Sequence, residues 1–240
     1  MTTLARITIA LILALFVSSC AFDMNFGEGK KGNGIVAEDN RNVSEEFTEV
    51  YASEGLDVFV TQSNVFKIVV EADENIIDLI GTDIKNGKLT IHAIENIGRA
   101  TKKIHVSLPK ITGLSSSSGA ELTTINTIEA EKIYLDASSG ADLEVSLMAN
   151  EVNADASSGA DIQIAGNANM FFADASSGAD IKAKNLMTKI CNADASSGAD
   201  ISLNVSESLT ADASSGADIT YTGQATVQKS KSSSGSVHKY

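Results

Sequence analysis

The octet ADASSGAD spans residues 154–161 and returns almost letter for letter from Ala173, Ala193 and Ala211, with a near copy from Leu135. The residues best able to do chemistry are therefore also the most regularly spaced. One set of aspartates is Asp136, Asp155, Asp174, Asp194 and Asp212; the other is Asp142, Asp161, Asp180, Asp200 and Asp218. Stacked carboxylates could hold Ca²⁺, which asks for several oxygen ligands. The repeats lack the glycine-and-aspartate nonapeptide of calcium-binding β-rolls, however. In water, acids stacked at an inter-strand spacing of about 4.8 Å repel by roughly 0.9 kcal/mol per adjacent pair before salt screening, a cost that exposed columns sustain. The expectation is a solvated acidic face that limits aggregation, with no metal and no cofactor.

Serine and aspartate could also serve a hydrolase, but that chemistry needs a base and a poised nucleophile. His92, His105 and His238 are scattered outside the uniform octets, no His-Glu-x-x-His spacing occurs, and there is no Gly-x-Ser-x-Gly elbow. A β-helix lyase acting on acidic polysaccharide would meet repulsion from the aspartates. An ice-binding face would favour threonine with few charges. The formal charge of -13 without a Lys/Arg cluster excludes a phosphate-backbone footprint, so no nucleic-acid partner is expected. One Pro, no Trp and few aromatics leave little for stacking platforms. No catalytic residue is assigned.

What positions these side chains follows from the period. The glycine of Ser-Ser-Gly recurs at Gly119, Gly140, Gly159, Gly178, Gly198, Gly216 and Gly235, at intervals of 18 to 21 residues. That is too short for helical repeats and suits one coil of a β-solenoid, about 19 residues per turn. Aligned on the glycines, Ile133, Val152, Phe171, Cys191 and Leu209 share an apolar position, which makes Cys191 a core residue rather than a reactive thiol. Alanines flank the corner on both sides, the aspartates alternate with them and face out, and Leu143, Ile162, Ile181, Ile201 and Ile219 face in, a period of two. Small alanines keep the coil narrow where two strands diverge, and the glycine implies positive φ at the bend. The serines are expected to satisfy corner backbone groups or to bond between coils. Gly178→Val should accordingly destabilise more than a change at surface Lys182.

Before the repeats, Arg6 precedes an apolar run from Ile7 to Val17 that is too short to span a bilayer and suits a signal segment. It ends in Val17-Ser18-Ser19-Cys20, which resembles a bacterial lipobox, with Cys20 as the lipid attachment point. Residues 20–42, rich in Gly, Asn and charge, read as a flexible tether. Residues 43–240 read as one domain: an N-terminal β region with the first coils over 43–112, then SSGAD coils over 113–240. Leu56, Val58 and Val60 alternate in a strand, as do Ile104, Val106 and Leu108; Asn86-Gly87 marks a type I′ hairpin. ADENIIDLIG could form one or two helical turns. The N-terminal strands and the basic tail with Lys229, Lys231 and Lys239 are expected to protect the two ends.

The segments GLDVFVTQS, KIVVEADENI, NGKLTIHA and KIHVSLPKITGLSSSSGAEL, with the successive SSGAD coils, resemble the head GIN domain family of bacterial envelope proteins, auto-transporter adhesins by name. The resemblance covers nearly all of the chain beyond the signal segment. It implies an all-β, single-stranded, right-handed parallel β-helix with an N-terminal β cap, often on a lipid-anchored precursor, and it carries over no catalytic residues. The repeats here are more uniform than the family leads one to expect. The expected protein is an extracytoplasmic lipoprotein of the outer membrane, held by lipid on Cys20, that presents a polar face to a protein or glycan ligand of open identity. A periplasmic structural or sensing role stands second and a lyase third. Oligomeric state is left open.

Overall fold

The period-two alternation of the repeats becomes a stack of parallel strands because each coil alone exposes its apolar side, and only the next coil covers its backbone edge. A computed structural model of the chain describes residues 28–229 and 234–240. The signal segment, Cys20 and Lys231 lie outside them. The result is a parallel β-solenoid of about 6 turns with about 19 residues per turn.

Six strands form its body: β10 (Ile128–Ala137), β11 (Asp142–Ala156), β12 (Asp161–Ala175), β13 (Asp180–Ala195), β14 (Asp200–Ala213) and β15 (Asp218–Thr222). They pair in parallel with like residues opposed: Ala154 faces Ala173, Ala173 faces Ala193, and Ala193 faces Ala211. The aligned inward positions are buried, from Ile133 and Phe171 to Ile219. Cys191 lies fully inside, and burial pushes its thiol up to about 12. Cys191 is therefore expected to resist an aqueous thiol reagent at pH 8 in the native protein and to react at once in denaturant.

Each octet corner is a tight turn. The Ala N–H closes on the first serine carbonyl at 3.0–3.3 Å, and both central residues have positive φ, for example Ser158 at 55° and Gly159 at 69°. This is the type I′ geometry. The strain is thus shared between serine and glycine, where the sequence reading assigned it to glycine alone. Between coils, backbone groups do most of the bonding: each corner glycine N–H donates to the second serine's carbonyl of the next coil at 2.7–3.2 Å. Because asparagine tolerates this backbone region better than serine, Ser158→Asn is expected to raise stability by a few tenths of a kcal/mol, visible as a small rise in melting temperature. Gly235 departs from the series. It lacks positive φ, and a Cβ there would collide with the Ala213 backbone.

The chain's first coil comes earlier than the repeats announce. β2 (Glu49–Ala52) and β3 (Asp57–Gln62) flank a corner at Ser53–Leu56 in which Glu54 and Gly55 have φ of 62° and 66°. Ala-Ser-Glu-Gly-Leu-Asp is thus a divergent copy of Ala-Ser-Ser-Gly-Ala-Asp. This coil stacks on the one formed by β8 (Gly113–Ser116) and β9 (Glu121–Thr124), where Gly55 donates to the Ser118 carbonyl at 3.1 Å. Its other side carries the cap, made by β6 (Lys88–Ala93) and β7 (Lys102–Leu108).

Beyond these, pairing turns antiparallel. β5 (Ile80–Lys85) joins β6 through Asn86-Gly87, both at positive φ as the type I′ hairpin requires. β4 (Lys67–Asp73) lies between β7 and β1 (Val36–Arg41). β1 corrects the tether expected over 20–42: its part from Glu28 onward is tied to the cap. The buried Asp73 carboxylate accepts from the N–H groups of Gly34 at 2.5 Å and Thr101 at 2.6 Å, and Gly32 donates to the Arg99 carbonyl at 3.0 Å. The helical option over ADENIIDLIG reduces to a 3₁₀ turn, Ile77–Leu79. At the far end, β16 (Thr226–Lys229) pairs with β14, and β17 (Ser236–Lys239) with β15.

Candidate functional site

Outward residues one coil apart stand above one another at the strand spacing, about 4.8 Å. The register places Asp136, Asp155, Asp174, Asp194 and Asp212 in a single column. A second column runs through Asp142, Asp161, Asp180, Asp200 and Asp218 and ends on Ser236. Towards the cap it continues through Glu121 and Asp57 to Lys103. Sequence alignment on the octet missed Glu121 and Asp57; the divergent corner at Gly55, once recognised, would have supplied Asp57.

Crowding shows in the carboxyls. Partial burial among the neighbouring coils holds Asp155 above the usual carboxylate range, with Asp136 adding to it; Asp174 is raised by burial and then by Asp155, and Asp194 by burial and then by Asp174 and Asp212. Asp136 is raised by burial against the opposing pull of Lys88. Asp180 is raised by burial, with Lys182 opposing and Asp161 and Asp200 reinforcing. Lys182 partly neutralises the second column, at 2.7 Å from Asp161 and 3.5 Å from Asp180. Among the described residues no Lys or Arg is paired with Asp155, Asp174, Asp194 or Asp212, and no group of three or more potential ligands is arranged to hold a metal ion.

A carboxyl raised in the folded state binds its proton more tightly there than in the unfolded chain. The resulting stability is fully present below the unfolded value, near pH 4, and is lost as pH rises through the higher folded values. Glu151, held low by Asn153 and Lys132, contributes with the opposite sign but is one group against five. The melting temperature should therefore rise by a few degrees from pH 7 to about pH 4.5. Added NaCl should raise it at pH 7 and do less at pH 4.5, because salt screens a repulsion that protonation removes.

Beside the first aspartate column runs another outward column, Tyr134, Asn153, Phe172, Asn192 and Thr210. From Asn153 to Thr210 and from Asp155 to Asp212 the two line a groove of about 480 Å³, with Tyr134 and Asp136 one coil beyond it. Tyr134 and Phe172 are exposed, and the Lys132 ammonium sits over the Tyr134 ring at 4.8 Å from its centre. At the opposite bend an amide ladder links coils: Asn169 donates to Asn150 at 2.9 Å, and Asn150 to Glu131 at 3.0 Å. The histidines stay apart. His92 pairs with Asp83, His105 stacks on Phe59 and reaches Glu71, and His238 contacts Ser236.

A family model described as "Putative auto-transporter adhesin, head GIN domain" matches residues 46–225. The chain belongs to the head GIN domain family. The matched stretch spans β2 to β15 and leaves β1 outside. Solved structures share the architecture. A "putative adhesin" from Bacteroides fragilis is 20% identical with a TM-score of 0.76, covering 88% of this chain and 99% of its own. A "putative lipid binding protein" from Parabacteroides distasonis is 16% identical with a TM-score of 0.71, over 88% and 99%. A "putative adhesin" from Parabacteroides merdae is 18% identical with a TM-score of 0.68, over 88% and 98%. At these identities the likeness is one of fold. No curated protein matches the chain.

Proposed function

We propose that this head GIN domain protein is a lipid-anchored, extracytoplasmic, non-catalytic adhesion module that uses the outward columns of its solenoid as the contact surface. The observation that carries the reading is the register itself. Identical polar side chains are held one per coil over a rigid, buried core, a way to present a repeated surface rather than to converge groups on one reacting atom. Family membership supports adhesion as the class, and the small residues before Cys20 support lipid anchoring.

Protease shaving of intact cells, followed by immunoblotting for residues 119–240 with lysed cells as control, tests exposure. Loss of signal on intact cells is expected; protection on intact cells with digestion after lysis would overturn the adhesin reading and leave the periplasmic structural or sensing role. Cys20→Ser should move the protein from the membrane to the soluble fraction. Retention of the variant in the membrane would remove the lipid from the proposal.

A further inference from the structure

The groove beside the first aspartate column is more specific than an acidic surface needs to be. Its outward column carries two exposed rings, Tyr134 at 51% and Phe172 at 37%, two coils apart, at positions where the same fold accepts Asn153, Asn192 and Thr210. The Tyr134 ring serves the Lys132 ammonium that lies over it, whereas Phe172 faces the groove. The rings lie side by side with carboxylates that lack a described cation partner, and with amides able to both donate and accept. We propose that this groove binds a linear polysaccharide bearing free amino groups, lying along the solenoid axis with a sugar ring stacked on Phe172, its hydroxyls on Asn153 and Asn192, and alternate ammonium groups on Asp155 and Asp194.

Two arguments select that ligand. The first is charge: a neutral glycan would bury carboxylates without neutralising them, an acidic one would be repelled, and an ammonium-bearing one pairs with the aspartates. The second is period. An extended peptide advances about 3.3 Å per residue and repeats a face every 6.6 Å or so, neither of which keeps step with coils about 4.8 Å apart. A linear chain of pyranose rings that turn over at each link shows the same face every second unit, close to two coil rises, and stays in register over several coils.

This inference rests on the adhesin reading and names its ligand class. The test titrates the detergent-solubilised full-length protein with chitosan oligosaccharides by calorimetry, using N-acetylated chitin oligosaccharides and oligolysine as comparisons. Chitosan oligomers are expected to bind, with the acetylated series weaker by about ten-fold or more, equivalent to losing about 1.4 kcal/mol. Phe172→Ala should weaken binding several-fold, and Tyr134→Ala, one coil beyond the groove, should do so less. Ser202→Ala on the other face should leave it unchanged. Absence of chitosan binding would overturn the proposal; so would oligolysine binding equally well and indifferently to Phe172→Ala, which would mean bare charge attraction. A protein digested on intact cells that ignores chitosan sinks only this inference, whereas protection from shaving sinks the adhesin reading whatever the calorimetry returns.

Discussion

Gly166→Ala is expected to destabilise the solenoid by about 3 kcal/mol or more and to lower the melting temperature by roughly 6–12 °C. Gly166 sits at φ 119°, and a Cβ built on it would lie 1.9 Å from the Leu147 carbonyl oxygen, a backbone atom of the preceding coil, far inside contact distance. The register pairs Gly166 with Leu147 on one side and Leu186 on the other, both fully buried, so the neighbouring coils cannot move apart without opening the core. A corner glycine is the contrasting case. Gly178, at φ 68°, has no atom within 4 Å of a would-be Cβ, so Gly178→Ala meets only backbone strain of about 1 kcal/mol. Thermal unfolding of the two alanine variants side by side decides the matter. Equal losses would mean that the bend relaxes and that Gly166 is not held between backbones.

Phe171→Ala should cost about 3–5 kcal/mol, the usual range for emptying a buried aromatic site. Phe171 is among the largest fully buried side chains and stands in the column of Ile133, Val152, Cys191 and Leu209, where it fills what smaller neighbours leave. Because each coil touches mainly its neighbours, the loss should be local in its effect. Hydrogen exchange is expected to show protection falling first in the coils after residue 176, while β1 and β4 to β7 at the capped end keep their slow amides. Phe171→Leu, which retains most of the volume, should lose less than half as much. Uniform loss of protection over cap and coils would contradict the nearest-neighbour picture.

The body of this fold could be read from the octets because every inward and outward position repeats. Cys191 illustrates it: alone it is ambiguous, and only its alignment with Phe171 and Leu209 marks it as core. The aspartate columns were equally legible, since alternation about a fixed corner fixes their direction. What escaped the reading depends on contacts between segments with no common pattern. β1 looks like linker until its pairing with β4 is known, and Gly166 looks like a chance glycine until the Leu147 carbonyl is placed against it. Ser53-Glu54-Gly55-Leu56 hid for a different reason, since charge at one corner position and bulk at another mask a shared backbone. In the candidate site, the carboxylates were visible in the sequence, but the groove was not. Tyr134 and Phe172 are separated by 38 positions, and only the stacking brings them into one column.

The placement of the first coil bears on how the chain becomes a solenoid. The strands at 49–62 are bordered on one side by β6 and β7 and on the other by β8 and β9, so the coil synthesised first is neither the end nor a free start. Its partners arrive late: Thr48 and Thr112, 64 residues apart, join by side-chain and carbonyl hydrogen bonds at that seam. Later coils need only their predecessor. The topology predicts one slow, non-local step that ends when residue 124 is available, followed by rapid local additions that run away from the cap.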